Sequence, residues 1–432
     1  MNVAIVGYGV EGHSSYEYWT KLGHVVTIHD AKPDLELPNG AESVLGEHYL
    51  EGLDRYDLIV RTPGLMPYRI ETKAPITTAT REFFDHCPAP IIGVTGTKGK
   101  GTTVSFIESI LRESGQTVWL GGNIGTPMLD FLPKIKPTDL VVLELSSFQL
   151  IDLHKSPHVA VHLMMVEDHL DTHRDFAEYQ AAKANIFSHQ KPEDVAVFVA
   201  TNTYAAQNVE LSPAGTRRSV SIVPSVSADC YVRDNDIYFA DQKIMSAHEV
   251  HLLGRFNLEN VCAAIAAVWD YVSDPAIISR GISAFHGLPH RMELVATVEG
   301  VQFVDDAIAV NPEASLAAIG SFTDPVIAIL GGKDKKMSYE AYCRDLAKIK
   351  PKQVIVMGEI ADTLATGLRK HGYGQVVHVT DMHEAVVYAA RQAKSGDVVL
   401  LAPGTSSFDM YKDFAAKGRE FQDAVQALRG KQ

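Results

Sequence analysis

The stretch GVTGTKGKGTT, Gly93–Thr103, decides how the chain is read. It follows the apolar run PAPII and leads into a segment with the periodicity of an amphipathic helix. Glycines at 93, 96, 99 and 101 let the backbone curl so that several N–H groups converge on one anion, and the helix start adds its positive end. Lys100 offers a mobile charge for the β- and γ-phosphates of a nucleotide. The usual phosphate loop has Ser or Thr directly after that lysine as a Mg²⁺ ligand. Here Gly101 stands in that place, so Thr102 or Thr103 must take the role. A glycine-rich turn without any ligand is the plain alternative, and so dense a set of glycines around Lys100, Thr102 and Thr103 argues against it.

Upstream, NVAIVGYGVEG reads as a buried strand running into GYGVEG, Gly7–Gly12, a literal GxGxxG. A helix is expected over Ser14–Leu22, then the strand HVVTIHD ending at Asp30, then DLIVRTPG. Alternation of this kind implies a parallel, doubly wound sheet, with Asp30 placed to meet a ribose. The geometry serves any diphosphate-bearing ligand, UDP-type or NAD. Two prolines near Pro88 precede a fresh strand, and the pattern restarts through TVWLGG, LVVLELSS and HVAVHLMMV. The run DCYVRDNDIYFA reads as an antiparallel hairpin. From Glu293 onward GVQFVDDA, DPVIAILGG, KQVIVMGE, QVVHVTD and GDVVLLAPG repeat the alternation. The chain is therefore expected to be α/β with three domains. These are an N-terminal Rossmann-like domain over 1–88, a central P-loop-type ATPase over 89–292 and a C-terminal Rossmann-like domain over 293–432.

Composition narrows the function. The 432 residues are 46% hydrophobic and 21% charged, ordinary for a globular chain, and a formal net charge of −14 argues against a nucleic-acid partner. Four scattered cysteines without a CxxC argue against a disulfide framework or a cysteine-ligated zinc, and fit a reducing compartment. The start MNVAIVGYG lacks the pattern of a signal peptide, and no apolar run reaches the roughly 18 residues of a membrane helix. A cytoplasmic protein without a membrane partner is expected.

His154, His158 and His162 recur at a spacing of four, but Pro157 interrupts any helix there and PHVAVHLMMV alternates like a strand, so no metal site is expected from them. EDHLDTH, Glu167–His173, is a polar cluster directly after a buried strand, where α/β enzymes hold ligands. Its His169 is expected to meet Glu144, from LVVLELSSF, near the phosphate loop as Mg²⁺ ligands.

Taken together, TGTKGKGTT, GGNIG, LELSSFQL, EDHLD, YQAAKANIF, GRFNLENVCAA and GLPHRME, in this order and spacing, resemble the Mur ligases over the whole chain. LELSSFQL and SSFDMYKDFAAKG favour the branch that adds glutamate to UDP-N-acetylmuramoyl-L-alanine. The resemblance implies ATP-dependent amide-bond formation through an acyl phosphate, with ATP and Mg²⁺ as cofactors and a monomeric, cytoplasmic enzyme of cell-wall precursor synthesis. It implies ATP contacts from Gly96, Thr97, Lys98, Gly99, Lys100, Gly101, Thr102, Asn257, Asn260, Arg291 and Asp306. Metal ligands would be Thr102, Glu144, His169 and Lys183, the last as a carbamate; Lys100, Glu144, His169 and Lys183 form the implied catalytic set. Val10, Glu11, Asp30, Lys32, Gly64, Asn123 and Ser146 match positions around the UDP-linked substrate. Lys335, Ser407 and Phe414 match the glutamate site.

Two departures stand out. Glu11 replaces a hydroxyl residue of the family, and a carboxylate beside a diphosphate is expected to turn toward the uracil or the solvent. Asp306-Ala307-Ile308-Ala309-Val310-Asn311 carries apolar residues where the family often has lysine and threonine. Ile308 is expected to be buried and silent toward carboxylates, which opens L-glutamate beside D-glutamate as the donor. A folylpolyglutamate-synthase-like ligase shares the Lys-Gly-Thr loop but has no need of the GYGVEG domain. An oxidoreductase accounts for GYGVEG and Asp30 but not for the second nucleotide loop.

Overall fold

The computed structural model describes residues 1–170, 172–252 and 254–429, and among these it contains three sheets. The first is all parallel and five-stranded, in the order Glu42–Leu45, Val25–Asp30, Asn2–Val6, Leu58–Arg61, Ile76–Thr77. Val3, Ala4, Ile5 and Val6 have no exposed surface, as expected of a central strand covered on both faces. The helix after it runs Val10–Lys21, starting four residues before the expected Ser14, because Gly9 itself is the N-cap. Its polar first turn conceals the start from periodicity. Gly12 is buried in that turn, where a Cβ would lie 2.1 Å from the Gly7 carbonyl oxygen.

The second sheet has nine strands. Ile91–Thr95 lies between Leu140–Glu144 and Val159–His162, all parallel, so the phosphate loop leaves the sheet where the strand order reverses. The expected hairpin is present as Cys230–Arg233 against Asp236–Phe239, turning through Asp234 and Asn235 at φ 51 and 62. Trp19, Phe83, Phe131, Val141 and Leu143 belong to one apolar cluster that draws on both the first and second sheets.

The third sheet runs Glu293–Val298, Val301–Asp305, Val398–Leu401, Val326–Gly331, Gln353–Met357, Val376–His378. Its first strand is antiparallel to the second and the others are parallel. Backbone contacts divide the chain into two compact units. One comprises residues 1–250 with 256–285, and the other 251–255 with 286–432. No helix among the described residues is long and apolar enough to cross a membrane.

Candidate active site

The phosphate loop is held from below. Gly99, at φ 87, caps the helix Lys100–Glu113, and a Cβ there would meet Asn260 Oδ1 at 2.4 Å. Asn260 sits on the helix Phe256–Val268, its Oδ1 accepting from Thr103 Oγ1 at 3.3 Å and its Nδ2 donating to Asn257 Oδ1 at 3.0 Å. Thr103 is thereby turned inside, which leaves Thr102 as the half-buried hydroxyl of the pair. Thr97 shares a hydrogen bond with Tyr179, while Lys98 is exposed. Lys100 curls back, donating to the carbonyls of Gly96 (3.1 Å) and Thr97 (3.2 Å).

A second lysine reaches the same turn. Lys183, on the helix Phe176–Ser188, is only 2% exposed and donates to Gly96 O at 2.9 Å. Its pKa falls well below the usual lysine value, mainly through burial and then through the charge of Lys100, while Asp168 and Glu144 oppose the shift. Glu144 ends its strand, buried, with Oε1 accepting from Asn123 Nδ2 at 2.9 Å. The fold thus gathers Lys100, Lys183, Glu144 and Asp168 about one turn. His169, next along the chain from Asp168, lies beside Tyr179 with ring centroids 6.2 Å apart, and Lys183 Nζ sits over that same tyrosine ring at 4.8 Å. His169 adopts φ 54, half exposed, its ring edge-on to Phe148 with centroids 5.2 Å apart. The three evenly spaced histidines separate, His162 bonding to the Leu163 carbonyl and Asn208 while His158 pairs with Asp194.

His173 was not singled out by its sequence. It is buried, stacked on Phe148, and joins Ser147 Oγ (2.9 Å) to Glu178 Oε2 (3.3 Å), with burial lowering its pKa. Its signal was the helix start at Asp175, which brings Glu178 back onto the preceding loop.

The GYGVEG turn opens onto a cleft of about 640 Å³ lined by Gly7, Gly9, Val10, Glu11, Asp30, Gly64 and Asn123 among others. Lys32 and Ser146 lie outside this lining, although the Lys32 N–H bonds to Asp30 Oδ1 at 2.9 Å. Asp30 Oδ2 accepts from the Tyr8 N–H at 2.6 Å. Glu11 does not turn to solvent: it lines the cleft, and its carboxyl is drawn inward. Gln149 Nε2 donates to its Oε1 at 2.7 Å, and Oε2 is buried without a partner.

In the second unit, Arg291 is exposed and Asp306 buried. Asp306 Oδ1 accepts the Met292 N–H at 3.1 Å, and burial pushes its pKa up to about 6 against the pull of that bond and of Arg291. A bracket holds both residues in place: His290 Nδ1 meets Asp305 Oδ2 at 2.7 Å, and Gln422 Nε2 donates to Asp305 and Glu293. These three ionisable groups are also the one cluster of metal-ligand type found among the described residues, and their internal hydrogen bonds already occupy them. Lys335 donates to the Val310 carbonyl at 2.7 Å, so its ammonium stands beside the segment that departs from the family. Ile308 is 38% exposed, which corrects the expectation that it is buried: Asp305 and Asp306 turn inward and leave it at the surface. Ser407 is buried with an unpartnered hydroxyl, and Phe414 sits edge-on to His290.

The Mur ligase middle domain matches residues 94–268, and the Mur ligase glutamate ligase domain matches residues 290–405. UDP-N-acetylmuramoylalanine–D-glutamate ligase of Acetivibrio thermocellus is 37% identical over 99% of this chain and 96% of its own length. The enzyme of the same name from Clostridium botulinum is 36% identical with the same coverage. Among solved structures, UDP-N-acetylmuramate-alanine ligase MurC from Thermotoga maritima superposes with a TM-score of 0.60 at 15% identity, covering 99% of this chain and 100% of its own. MurF from Thermotoga maritima, in complex with ADP, gives 0.59 at 18% identity over 99% and 95%. At such identities the structural likeness speaks for the fold alone, but the near-full-length sequence identity carries further: the chain belongs to the Mur ligase family of ATP-dependent amide-bond-forming ligases.

Proposed function

We propose that this enzyme joins D-glutamate to UDP-N-acetylmuramoyl-L-alanine, a step of peptidoglycan precursor synthesis, with 1–88, 89–292 and 293–432 as its working domains. The observation that carries the reading is the convergence of Lys100 and Lys183 on the Gly96 carbonyl, with Glu144 and Asp168 as the acidic neighbours of Lys183. The acceptor's alanyl carboxylate attacks the γ-phosphorus of ATP, ADP leaves, and an acyl phosphate forms. The amine of glutamate then attacks the acyl carbon, and the tetrahedral intermediate collapses with loss of inorganic phosphate.

Each step brings anions together, so the demand on the protein is electrostatic. The loop from Gly96 to Gly101 cradles the phosphates with its N–H groups other than that of Thr97, which donates to the Met164 carbonyl, and Lys100 leaves its own loop carbonyls to bridge the β- and γ-phosphates. Asn257 and Asn260 support the nucleotide from below the loop. Arg291 and Asp306 match ATP contacts of the family, the guanidinium suited to the γ-phosphate and the carboxyl to a ribose hydroxyl. Val10, Glu11, Asp30, Lys32 and Gly64 surround the UDP end of the acceptor, and Asn123 and Ser146 its reacting end. Lys335, Ser407 and the backbone of Phe414 hold the two carboxylates of glutamate.

The donor set of Thr102, Glu144 and carbamylated Lys183 is rich in hard oxygen, which suits Mg²⁺, with His169 completing it. A bound Mg²⁺ supplies charge neutralisation on the phosphate oxygens. Lys183 suits carbamylation because burial and Lys100 favour its neutral, nucleophilic amine.

Phosphate release from ATP in the presence of UDP-N-acetylmuramoyl-L-alanine, run separately with D- and L-glutamate, tests the reading. Turnover with the D-isomer is expected; no turnover with either isomer refutes it. Ile308 and Val310, which replace polar residues beside Lys335, favour L-glutamate as the second reading.

A further inference from the structure

The glycine turn of the first sheet and the helix Ser147–Leu150 are tied together through a single carboxyl. Glu11 stands in the first turn of the helix Val10–Lys21, which has no side-chain cap and lines the cleft. Its Oε1 accepts from Gln149 Nε2 at 2.7 Å. The other end of the same amide, Gln149 Oε1, accepts from Ser146 N and Ser146 Oγ, each at 3.0 Å. A continuous chain therefore runs Glu11–Gln149–Ser146, from the turn that faces a diphosphate to the hydroxyl at the acceptor's reacting end. Glu11 Oε2 is buried and has no partner, so the side chain is incomplete as the free protein holds it.

We propose that Glu11 is a positioning residue for the acceptor substrate: through Gln149 it orients the Ser146 hydroxyl, and it acts as a neutral acid whenever a diphosphate lies on the turn. This rests on the reading of the cleft as the UDP site.

The surrounding charges support the neutral form. From the strand Leu58–Arg61, Arg61 is the cation nearest in effect, but it is committed to Asp152 at 3.0 Å and to the carbonyls of Leu65 and Phe148. Gln149, on the helix Ser147–Leu150, is uncharged. Asp30, at the end of Val25–Asp30, lines the same cleft and adds negative charge, whereas Arg69 lines it and adds positive. Asp130, from the helix Met128–Phe131, takes the Ser14 hydroxyl at 2.6 Å. Burial has already pushed the Glu11 carboxyl up to about 7, against the Gln149 bond and Arg61. A diphosphate brings further negative charge and raises it again. The protonated acid keeps Oε1 for Gln149 and gives Oε2 a proton to donate, whereas the carboxylate and the diphosphate repel.

Below about pH 7 free Glu11 already holds its proton, and binding needs none. Above it the proton must be taken up with the ligand, so acceptor kcat/KM falls as pH rises, approaching tenfold per unit.

Two measurements test this. Calorimetry of UDP binding in buffers of differing ionisation heat should show uptake approaching one proton at pH 8 in the wild type and none in Glu11→Gln. The pH profile of kcat/KM for the acceptor should lose its alkaline limb in Glu11→Gln, whose amide oxygen still accepts from Gln149. Glu11→Ala should lower acceptor kcat/KM about tenfold below pH 7, where the wild type already holds its proton, should also lack the alkaline limb, and should leave the KM for ATP unmoved. UDP binding without proton uptake, or an alkaline limb that survives in Glu11→Gln, overturns the role of Glu11 alone. Failure of the wild type to bind UDP at any pH overturns the reading of the cleft and this inference with it. Glu11→Gln is isosteric, so the test stands even if the alanine variant folds poorly.

Discussion

The ammonium groups of Lys183 and Lys100 share one acceptor: Gly96 O lies 2.9 Å from the first and 3.1 Å from the second. Two cations on one oxygen in a buried turn repel each other, and burial together with the charge of Lys100 holds Lys183 well below the usual lysine value.

The proposed conversion of Lys183 into a carbamate would relieve that repulsion. The neutral amine attacks CO₂, and the product is an anion beside Lys100 instead of a second cation. Activity should depend on added bicarbonate after CO₂ is stripped, and ¹³C-labelled bicarbonate should give a carbamate resonance absent from Lys183→Ala. That variant should be inactive and partly restored by formate or acetate. Full activity in Lys183→Ala would show an ordinary buried lysine. Stability gives a second readout. The folded pKa lies below the unfolded one, so the unfolded chain binds the extra proton between them. Stability should therefore rise with pH across that window in the unmodified protein and lose the dependence in Lys183→Met.

Lys100→Ala should reduce turnover by roughly 10² or more, the scale of losing a donor aimed at transition-state charge. The fold should survive, because Lys100 is half-buried and bends back to the carbonyls of Gly96 and Thr97 in its own loop. Near-wild-type phosphate release would refute the loop's proposed role.

If Asp306 takes a ribose hydroxyl as proposed, it trades stability for binding. Its carboxyl is held up at about 6 by burial, so the folded protein binds more protons than the unfolded chain between about pH 4 and 6, and stability falls as pH rises through that range. A shift of this size corresponds to roughly 2–3 kcal/mol. Asp306→Asn should therefore melt higher than the wild type at pH 7.5, since an amide oxygen can still take the Met292 N–H. It should also weaken ATP binding, and the wild-type KM for ATP should rise below about pH 6. A variant that melts lower and binds ATP normally would contradict both halves.

Lys335→Ala should weaken glutamate binding roughly ten- to hundredfold, the range of a charge-assisted pair, and leave the KM for ATP nearly unchanged. The pair Ile308→Lys with Val310→Thr should shift the ratio of D- to L-glutamate turnover, because Val310 already touches Lys335 through its carbonyl and Ile308 stands at the surface. Turnover ratios indifferent to all three changes would place glutamate elsewhere.

The two glycine turns were legible because their residue types answer local needs: a left-handed cap at Gly99 and close backbone approach at Gly12. Glu11 was not legible, since the partner that draws it inward is Gln149, 138 positions along the chain. The choice between Thr102 and Thr103 likewise waited on Asn260, 157 positions beyond Thr103. Ile308 misled for a related reason. Its hydrophobicity suggests burial, but the two aspartates before it take the interior places and satisfy themselves there with backbone N–H groups. Long-range polar partners were the hidden part, and they decide which way a loop residue turns.

Asn260 also fixes when the phosphate loop becomes ordered. Its oxygen sits where any side chain at position 99 would go, and it ties Thr103 to the helix Phe256–Val268. The loop is thus moulded as the helix docks, and the ordering entropy of about 1–2 kcal/mol per residue is absorbed in folding instead of in the encounter with nucleotide. Damage anywhere along that remote helix should then register first as lost affinity, because the mould loosens before the protein melts.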